Sequence, residues 1–285
     1  MKIVKTVAEM QKESAALRTG GATIGVVPTM GALHSGHASL ITASALRHPA
    51  TIVTVFVNPT QFGPADDFAR YPRTPDEDAA LAEQYGATHL FIPDTSAMYP
   101  QGYSTMITVG RLSTVLEGAV RPGHFDGVAT VVCKLFAATH PHEAYFGQKD
   151  YQQTLIIKRM TRDLNLGVGI TVCPTIREAD GLALSSRNRY LTSADRVTAL
   201  ALYRALRAGR LAAHTAGATG KTIEDAMLQE LSGLQVDYVA AVHPDTLEPL
   251  ETVLTGDTIV LLVAARLGST RLIDNVIVTV GSDAD

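Results

Sequence analysis

The sequence has few cysteines and no excess of basic residues. Only two of its 285 residues are cysteine, Cys133 and Cys173, and neither belongs to a CxxC pair. A disulfide framework or a structural zinc site would need more ligands at recognisable spacing. The 24 lysines and arginines face 28 acidic residues, for a net charge of −4. Because no global basic field draws the chain onto nucleic acid, any anion site must be local.

Long apolar runs are also missing. Lys2 and Lys5 are followed by an amphipathic polar pattern and not by the apolar core of a signal peptide. No run reaches the length that spans a membrane. We therefore expect a cytoplasmic protein with neither a membrane nor a nucleic acid as partner. The length suits one large or two ordinary domains, and two are expected.

The common nucleotide-binding fingerprints are absent or incomplete. The sequence contains no GxGxxG pattern, and residues 215–222 resemble a P-loop but begin with Thr215 where the motif has glycine. This segment lies between two predicted helices. Because a P-loop needs a strand before it, Lys221 is interpreted as a solvated linker lysine.

The sequence does show alternating strand and helix patterns, which predict an α/β fold with a parallel sheet. Composition shifts after Pro174, and the remainder predicts a smaller α+β domain packed as a lid. We therefore predict a parallel-sheet α/β domain over residues 1–176 and the lid domain over 177–285. Strands are predicted at 3–4, 23–27, 51–57, 88–92, 106–109, 144–146, 170–173, 238–242, 258–265 and 272–279, a long helix at 192–213, another at 222–231, and an irregular polar segment at 66–73.

Residues 25–40 combine the pattern of a strand, a turn and a helix with two histidines. A buried strand should be broken at 28–31, and a helix should begin at Ser35 or Gly36. Unpaired N–H groups at such a helix start attract anions. His34 and His37, three residues apart, share one face of the first turn. They could be a surface pair or metal ligands, but no third and fourth ligand follows. Phosphate binding also explains the glycines, the strand and the helix.

Further cations and hydroxyl groups are predicted at strand ends or at the domain junction: Lys149, Ser185, Ser186 and Arg187. Phosphoryl and nucleotidyl transfer need donors placed where negative charge develops. Alone, Lys149 could be a surface lysine and Arg187 part of an interface salt bridge. Their joint placement with the histidines favours the catalytic interpretation.

Gln61 and Gln153 form a neutral pair of candidates. A glutamine can hold a hydroxylated acid by its hydroxyl groups and leave the carboxylate unneutralised. That carboxylate would keep its nucleophilicity towards an α-phosphate. For each residue alone, an ordinary surface glutamine remains the alternative.

Six motifs together resemble the pantothenate synthetase family, within the His-x-Gly-His nucleotidyltransferase group that includes class I aminoacyl-tRNA synthetases. They are Pro-Thr-Met-Gly-Ala-Leu-His-x-Gly-His at 28–37, Val-Asn-Pro-x-Gln-Phe at 57–62, Arg-Pro-Gly-His-Phe-Asp-Gly at 121–127, Phe-Gly-Gln-Lys-Asp at 146–150, Leu-Ser-Ser-Arg-Asn at 184–188 and Arg-Leu-Ile-Asp-Asn at 271–275. The family commonly has glutamate where this chain has Ser35, which should affect helix capping more than catalysis.

The resemblance implies an ATP-dependent, AMP-forming ligase that joins (R)-pantoate to β-alanine through pantoyl adenylate, with magnesium accompanying ATP. It also implies a cytoplasmic homodimer, with a Rossmann-like amino-terminal domain and a smaller, mobile carboxyl-terminal domain. His37 would be the proton donor, and His34, Lys149 and Arg187 would complete the catalytic set. Gln61 would contact pantoate and β-alanine, and Gln153 pantoate. The ATP site would comprise Met30, Gly31, Ala32, Leu33, His34, Ser35, Gly36, His37, Gly147, Gln148, Lys149, Asp150, Ile176, Leu184, Ser185, Ser186 and Arg187.

Two other functions would use the same residues. One is an adenylyltransferase that joins AMP to a phosphate monoester and releases a stable dinucleotide. The other is a nucleotide-sensing module that binds without turnover. Release of AMP that depends on an added amine separates the ligase from both.

Overall fold

The computed structural model describes residues 1–63 and 68–281 and divides into two compact units. The first unit comprises Met1–Gln148 and Gln152–Pro174. The second comprises Lys149–Tyr151 and the chain from Thr175 onward. The three residues 149–151 thus belong by their contacts to the second unit, although the residues on either side belong to the first.

The first unit is built on a six-stranded parallel sheet with strand order β1-β4-β3-β2-β5-β6. This confirms the predicted fold class. The order reverses between β2 and β5, which is the topological switch point where open α/β sheets bind ligands. The strands are β1 Lys2–Val4, β2 Ile24–Thr29, β3 Ala50–Val55, β4 His89–Phe91, β5 Glu143–Gly147 and β6 Gly169–Cys173.

Helices cover both faces of this sheet. Strand residues alternate between the two cores: Val26 and Ile52 pack with α1, α6 and α7, whereas Val27 and Val53 pack with α2 and α3. This alternation follows from the two-residue period of a strand. The helices are α1 Val7–Thr19, α2 Ser35–Ala45, α3 Pro75–Gln84, α4 Thr95–Met98, α5 Glu117–Val120, α6 His124–Thr139 and α7 Tyr151–Asp163.

Strand β2 continues two residues past its predicted end at Val27, into the segment 28–31 that was expected to break it. The Thr29 carbonyl accepts from the Phe56 amide on the β3 side, so Pro28 faces the β5 side. The register of β2 with β5 ends at Val26. Because no bond is required there, the missing N–H of proline costs the sheet nothing.

The prediction of a strand at residues 106–109 is wrong. This segment is irregular, and Ile107 and Val109 pack against the core that contains α6. The Ile107 amide donates to Thr130 Oγ1 at 2.9 Å instead of joining a sheet. Of the predicted irregular segment 66–73, residues 66 and 67 lie outside the described residues, and Phe68–Arg70 form a 3₁₀ turn.

A polar network surrounds Glu143 at the start of β5. His48 Nε2 lies 3.0 Å from its carboxylate, Tyr145 Oη donates to it at 3.1 Å, and Thr171 Oγ1 also donates to it. Arg47 lies 3.4 Å away. Burial alone would raise the pKa of Glu143, but these hydrogen bonds and the arginine charge together hold it below its usual 4.5. The ionised form therefore stabilises the fold.

The second unit contains the antiparallel sheet β7-β8-β9, in agreement with the predicted α+β composition. Helices α9 and α10 pack against this sheet, and their apolar residues share one core with β8 and β9. The elements are α8 Ser193–Ala199, α9 Ala201–Ala213, α10 Gly220–Gln229, β7 Gln235–Val242, β8 Thr258–Leu267 and β9 Thr270–Thr279.

Two predictions for the second unit need correction. The helix predicted at 192–213 is divided at Leu200, whose ψ of −13° tightens the backbone towards 3₁₀ geometry. Lys221 lies in the first turn of α10 and not in a linker, and it pairs with Asp225. Helix α9 and not a strand precedes this segment, so the P-loop-like residues lack the support that a P-loop requires.

Candidate active site

The loops after β2 and β5 lie at the switch point of the first unit. Residues 30–37, here named the histidine loop, follow β2, and Gln148 begins a 3₁₀ turn directly after β5. Because β2 and β5 are neighbours, their carboxyl ends open on the same crevice. The topology thus places two of the predicted segments at one edge of the sheet.

Asp78 of α3 anchors the histidine loop. Its carboxylate oxygens accept from the amides of Ala32 at 3.1 Å and Leu33 at 2.7 Å, and Thr74 Oγ1 donates to it at 3.3 Å. Asp78 is 1% exposed. Burial raises the pKa of Asp78, although the two amides oppose this shift. An acidic side chain therefore fixes the backbone of the loop through charge-assisted hydrogen bonds.

The turn into the histidine loop requires unusual backbone geometry. Gly31 has φ +85° and Ala32 has φ +49°. A Cβ atom on Gly31 would lie 2.8 Å from Asp78 Oδ2 and 3.0 Å from Val55 Cγ1. The Gly31 amide donates to Thr29 Oγ1 at 3.1 Å, which closes the turn. Only glycine combines this φ with this close approach.

The two histidines cap the helix that carries them. His34 is the N-cap of α2, and its Nδ1 accepts from the Gly36 amide at 3.1 Å, while His37 Nδ1 accepts from the His34 amide at 3.3 Å. Their ring centroids lie 4.1 Å apart. Imidazole nitrogens thus occupy the amides of His34 and Gly36, two of the amides expected to be unpaired at the helix start. The sequence pattern could not show that the histidines serve as their own caps.

These contacts fix the tautomers of the pair. A nitrogen that accepts an N–H carries no proton, so each neutral ring bears its hydrogen on Nε2. Each histidine therefore presents an Nε2–H donor on the side of the ring away from its backbone contact. Two such donors on the first turn of one helix suit an anionic group.

The Gln61 side chain is held with a defined polarity. Asn58 Oδ1 accepts from the Thr60 amide at 3.4 Å, and its Nδ2 donates to the Gly127 carbonyl at 3.1 Å, which assigns the two ends of the Asn58 amide. The same Nδ2 donates to Gln61 Oε1 at 3.1 Å. Gln61 Nε2 therefore points the other way, where it donates to Met30 Sδ at 3.1 Å. Sulfur is a weak acceptor, so this nitrogen remains a strong donor for a substrate oxygen.

The main chain of Gln61 is fixed as well. Its carbonyl accepts from His124 Nδ1 at 2.8 Å and from Arg121 Nη2 at 3.3 Å. Helix α6 approaches so closely that a Cβ on Gly127 would lie 2.4 Å from the Thr60 carbonyl oxygen. Residues 121–127 thus act on the site through the backbone of Gln61, a role that their sequence alone did not reveal.

Gln153 lies half-buried on α7, next to a glutamine with structural contacts. Gln152 Nε2 donates to the carbonyls of Leu112 and Val115, and its Oε1 accepts from the Glu117 amide. Gln152 therefore fastens the 112–117 segment to α7. Its neighbour Gln153 takes no part in these three hydrogen bonds.

The remaining predicted residues belong to the second unit. Lys149 is half-buried and Asp150 exposed, within a 3₁₀ turn. The Leu184 amide donates to the Ile176 carbonyl at 3.0 Å. Ser185 caps the next 3₁₀ turn, because its Oγ accepts from the Arg187 amide at 3.3 Å. The predicted residues that the first unit contains are Met30, Gly31, Ala32, Leu33, His34, Ser35, Gly36, His37, Gln61, Gly147, Gln148 and Gln153; those of the second are Lys149, Asp150, Ile176, Leu184, Ser185, Ser186 and Arg187.

Within residues 1–63 and 68–281, no group of three or more histidine, cysteine, aspartate or glutamate side chains is arranged to hold a metal ion. No helix in that same part of the chain is long and apolar enough to cross a membrane.

The model of the pantoate–β-alanine ligase family matches residues 2–277. The chain belongs to this family. The curated pantothenate synthetase of Moorella thermoacetica is 49% identical over 283 residues, covering 98% of this chain and 99% of the relative. That of Roseiflexus sp. is 51% identical over 278 residues, covering 96% and 98%.

Solved structures of pantoate–β-alanine ligases agree with this assignment. The pantothenate synthetase of Thermus thermophilus has a TM-score of 0.90 at 47% identity and covers 97% of this chain and 99% of its own. The ligase of Francisella tularensis, complexed with "Beta-gamma ATP and Beta-alanine", has a TM-score of 0.81 at 34% identity and covers 97% of both chains. The predicted family resemblance and the prediction of a ligase enzyme are therefore confirmed.

Proposed function

We propose that this ligase condenses (R)-pantoate with β-alanine in two steps through pantoyl adenylate. In the first step, a pantoate carboxylate oxygen attacks the α-phosphorus of ATP, the bond to the β-phosphate breaks, and pyrophosphate leaves. In the second, the β-alanine amine attacks the acyl carbon, gives up a proton to solvent and releases AMP. The Francisella complex with an ATP ligand and β-alanine is the observation that best supports this choice of substrates.

The histidine loop supports an ATP site. We propose that the Nε2–H groups of His34 and His37 donate hydrogen bonds to phosphate oxygens, and that His37 is the proton donor, which shares its Nε2 proton with the oxygen on which charge develops. Because backbone amides already hold both rings, the donors are preorganised, and preorganised donors stabilise a transition state most effectively. Lys149 and Arg187 would neutralise charge on the triphosphate, and Ser185 and Ser186 would donate to it. The remaining proposed ATP contacts are Met30, Gly31, Ala32, Leu33, Ser35, Gly36, Gly147, Gln148, Asp150, Ile176 and Leu184.

Pantoate is assigned to the two glutamines. The polarity of Gln61 makes its Nε2–H a donor, so we propose that it binds an oxygen of pantoate in the first step and of β-alanine in the second. Gln153 would contact pantoate. Neither side chain carries charge, so neither would quench the attacking carboxylate.

Magnesium is best treated as part of the substrate. The histidine loop offers imidazole nitrogens as metal ligands, whereas Mg²⁺ prefers oxygen. Both carboxylate oxygens of Asp78 already accept hydrogen bonds from backbone amides. Mg²⁺ commonly binds through substrate phosphates and water with few protein ligands. We propose that it arrives with ATP, in keeping with the donor set of the described residues.

We further propose that residues 1–176 bind ATP and pantoate, that residues 177–285 act as a lid, and that the protein is a cytoplasmic homodimer. These proposals rest on the family resemblance. Sedimentation at micromolar concentration should give twice the mass of one chain. A species with the mass of one chain would contradict the dimer.

Pyrophosphate exchange into ATP tests the adenylate. Exchange should require pantoate and magnesium but not β-alanine, and AMP should accumulate only when β-alanine is added. His37→Ala or Lys149→Ala should each lower exchange about 10²- to 10³-fold, or about 3 to 4 kcal/mol. Lys221→Ala is the matched control, because this lysine is 73% exposed.

The outcomes separate the alternatives. A stable dinucleotide product would indicate an adenylyltransferase, and ATP binding without exchange would indicate a sensing module. Gln153→Ala should raise the pantoate KM more than it lowers kcat. A variant that forms adenylate at the normal single-turnover rate would remove its residue from the catalytic set.

A further inference from the structure

The main chain of Lys149 is held by the last strand of the second unit. Asn275 Nδ2 of β9 donates to the Lys149 carbonyl at 2.8 Å. Two residues later, Tyr151 Oη donates to the Pro244 carbonyl at 2.9 Å. These bonds explain why residues 149–151 belong to the second unit, although β5 and most of α7 belong to the first.

Asn275 is itself rigidly fixed. The residue is buried, at 2% exposure. Its amide donates to Asp274 Oδ1 at 2.8 Å, and its carbonyl accepts from Arg177 Nη2 at 3.3 Å. Strand pairing with Leu262 of β8 adds to these bonds.

The Arg177–Asp274 pair stabilises this corner of the sheet. Arg177 binds both oxygens of Asp274, at 2.6 and 3.0 Å, and Asp274 is 3% exposed. The Arg177 guanidinium also lies 5.0 Å from the centre of the Tyr203 ring. Bidentate geometry and burial make such a pair directional. The Arg177–Asp274 pair and the strand pairing of β9 thus hold the backbone of Asn275 in place.

The polarity of the Asn275 amide follows from its partner. A backbone carbonyl only accepts, so the atom that faces Lys149 is the Nδ2 donor. An aspartate at this position has the same shape but, when ionised, cannot donate. This difference allows the bond to be removed without a change in side-chain volume.

We propose that Asn275 is a positioning residue for Lys149: its hydrogen bond fixes the backbone from which the ammonium group reaches the triphosphate. This inference rests on the proposed function of Lys149 in adenylate formation. Asn275 acts only through Lys149. A rigid support that preorganises a catalytic group raises the reaction rate without increasing the affinity for substrate.

The first test separates kcat from KM. Asn275→Asp should lower the maximal rate of pantoate-dependent pyrophosphate exchange about 10-fold, the scale of a lost hydrogen bond plus an unpaired carbonyl. The KM for pantoate should change less than about twofold. Asn275→Ala, which adds no charge beside Asp274, should give a similar loss and serves if the aspartate variant does not fold.

A double-mutant cycle with Lys149→Ala supplies the decisive readout. If Asn275 acts through Lys149, Asn275→Asp should cause no further loss of exchange in the Lys149→Ala background. A loss of the same factor in both backgrounds would overturn this inference alone. A Lys149→Ala variant with the normal exchange rate would overturn the proposed role of Lys149, and this inference with it.

Asp237→Asn is the matched structural control. Asp237 accepts from Arg271 Nε of β9 at 2.5 Å, and both side chains are largely buried. This variant and Asn275→Asp should both lower the Tm of the protein, but Asp237→Asn should keep exchange within about twofold of wild type. An equal loss of exchange in the control would show that general weakening of β9 explains the effect, and would overturn the inference.

Discussion

Asp78→Ala is expected to release the histidine loop. The substitution removes the acceptor of two amides, those of Ala32 and Leu33. Ala32 is buried, so its N–H would lack a partner, whereas the half-buried Leu33 amide can turn to water. A charge-assisted hydrogen bond contributes about 1.5–3 kcal/mol, and an unpaired buried donor costs about 1–3 kcal/mol.

The cost of burying the Asp78 charge reduces the net effect of the substitution. Burial raises the pKa of Asp78, which shows that ionisation is penalised in the folded protein and offsets part of the gain. We therefore expect the local free energy of opening to fall by about 2–4 kcal/mol. Since about 1.4 kcal/mol is a factor of ten, the amides of Ala32 and Leu33 should exchange with solvent at least about 30-fold faster.

Hydrogen exchange followed by mass spectrometry on peptides of the histidine loop measures this change. Asp76→Ala is the matched control, because Asp76 lies in the same first turn of α3 but is exposed. The control should alter exchange in the loop by less than about threefold. Asp78→Asn, which keeps one acceptor, should fall between the two. Exchange in Asp78→Ala equal to that of the control would refute the anchoring role.

Three other predictions follow from the geometry. Gly31→Ala should lower the free energy of unfolding by about 2–4 kcal/mol, because Gly31 has a φ of +85° and close contacts. Gly102→Ala is the control and should cost only about 1 kcal/mol, because Gly102 has a φ of +84° but open space around it; equal losses in Tm would exclude crowding as a cause. Because the native pKa of Glu143 is lowered, its stabilisation is present above pH 4.5 and is lost as pH falls through the native pKa; the Tm advantage over Glu143→Gln should shrink below pH 4.5, and a constant difference would contradict this. Tyr99→Phe removes the 2.8 Å bond to Asn58 Oδ1, and steady-state kinetics should show a pantoate KM raised about 2- to 10-fold; an unchanged KM would exclude support of the amide network by Tyr99.

Most of the fold could be predicted because hydrophobic period and turn chemistry are local properties of the sequence. The parallel strands, the helix starts and the three antiparallel strands follow from such patterns. The segment 106–109 shows the limit of this reasoning. Its apolar residues are buried against α6 and not in a sheet, and only the tertiary packing distinguishes the two.

The sequence motifs predict the candidate site residues, but they do not predict the residues that hold them in place. Asp78 lies in an acidic helix start, and nothing in the sequence distinguishes it from its exposed acidic neighbours. Its partners are 45 and 46 residues away, and Asn275 is 126 residues from Lys149. Contacts at such separations depend on the folded chain, so no local pattern encodes them. The helix-capping role of the two histidines was hidden for a different reason, since it depends on rotamer and tautomer.

The central claim, that the pantoate carboxylate attacks the α-phosphate, is tested most directly by isotope transfer. Pantoate labelled with ¹⁸O in both carboxylate oxygens should be incubated with ATP, magnesium and β-alanine, and the products analysed by mass spectrometry. Attack at the α-phosphorus predicts one ¹⁸O in AMP and one in the amide carbonyl of the product. Unlabelled AMP, with ¹⁸O in pyrophosphate or inorganic phosphate, would contradict the account.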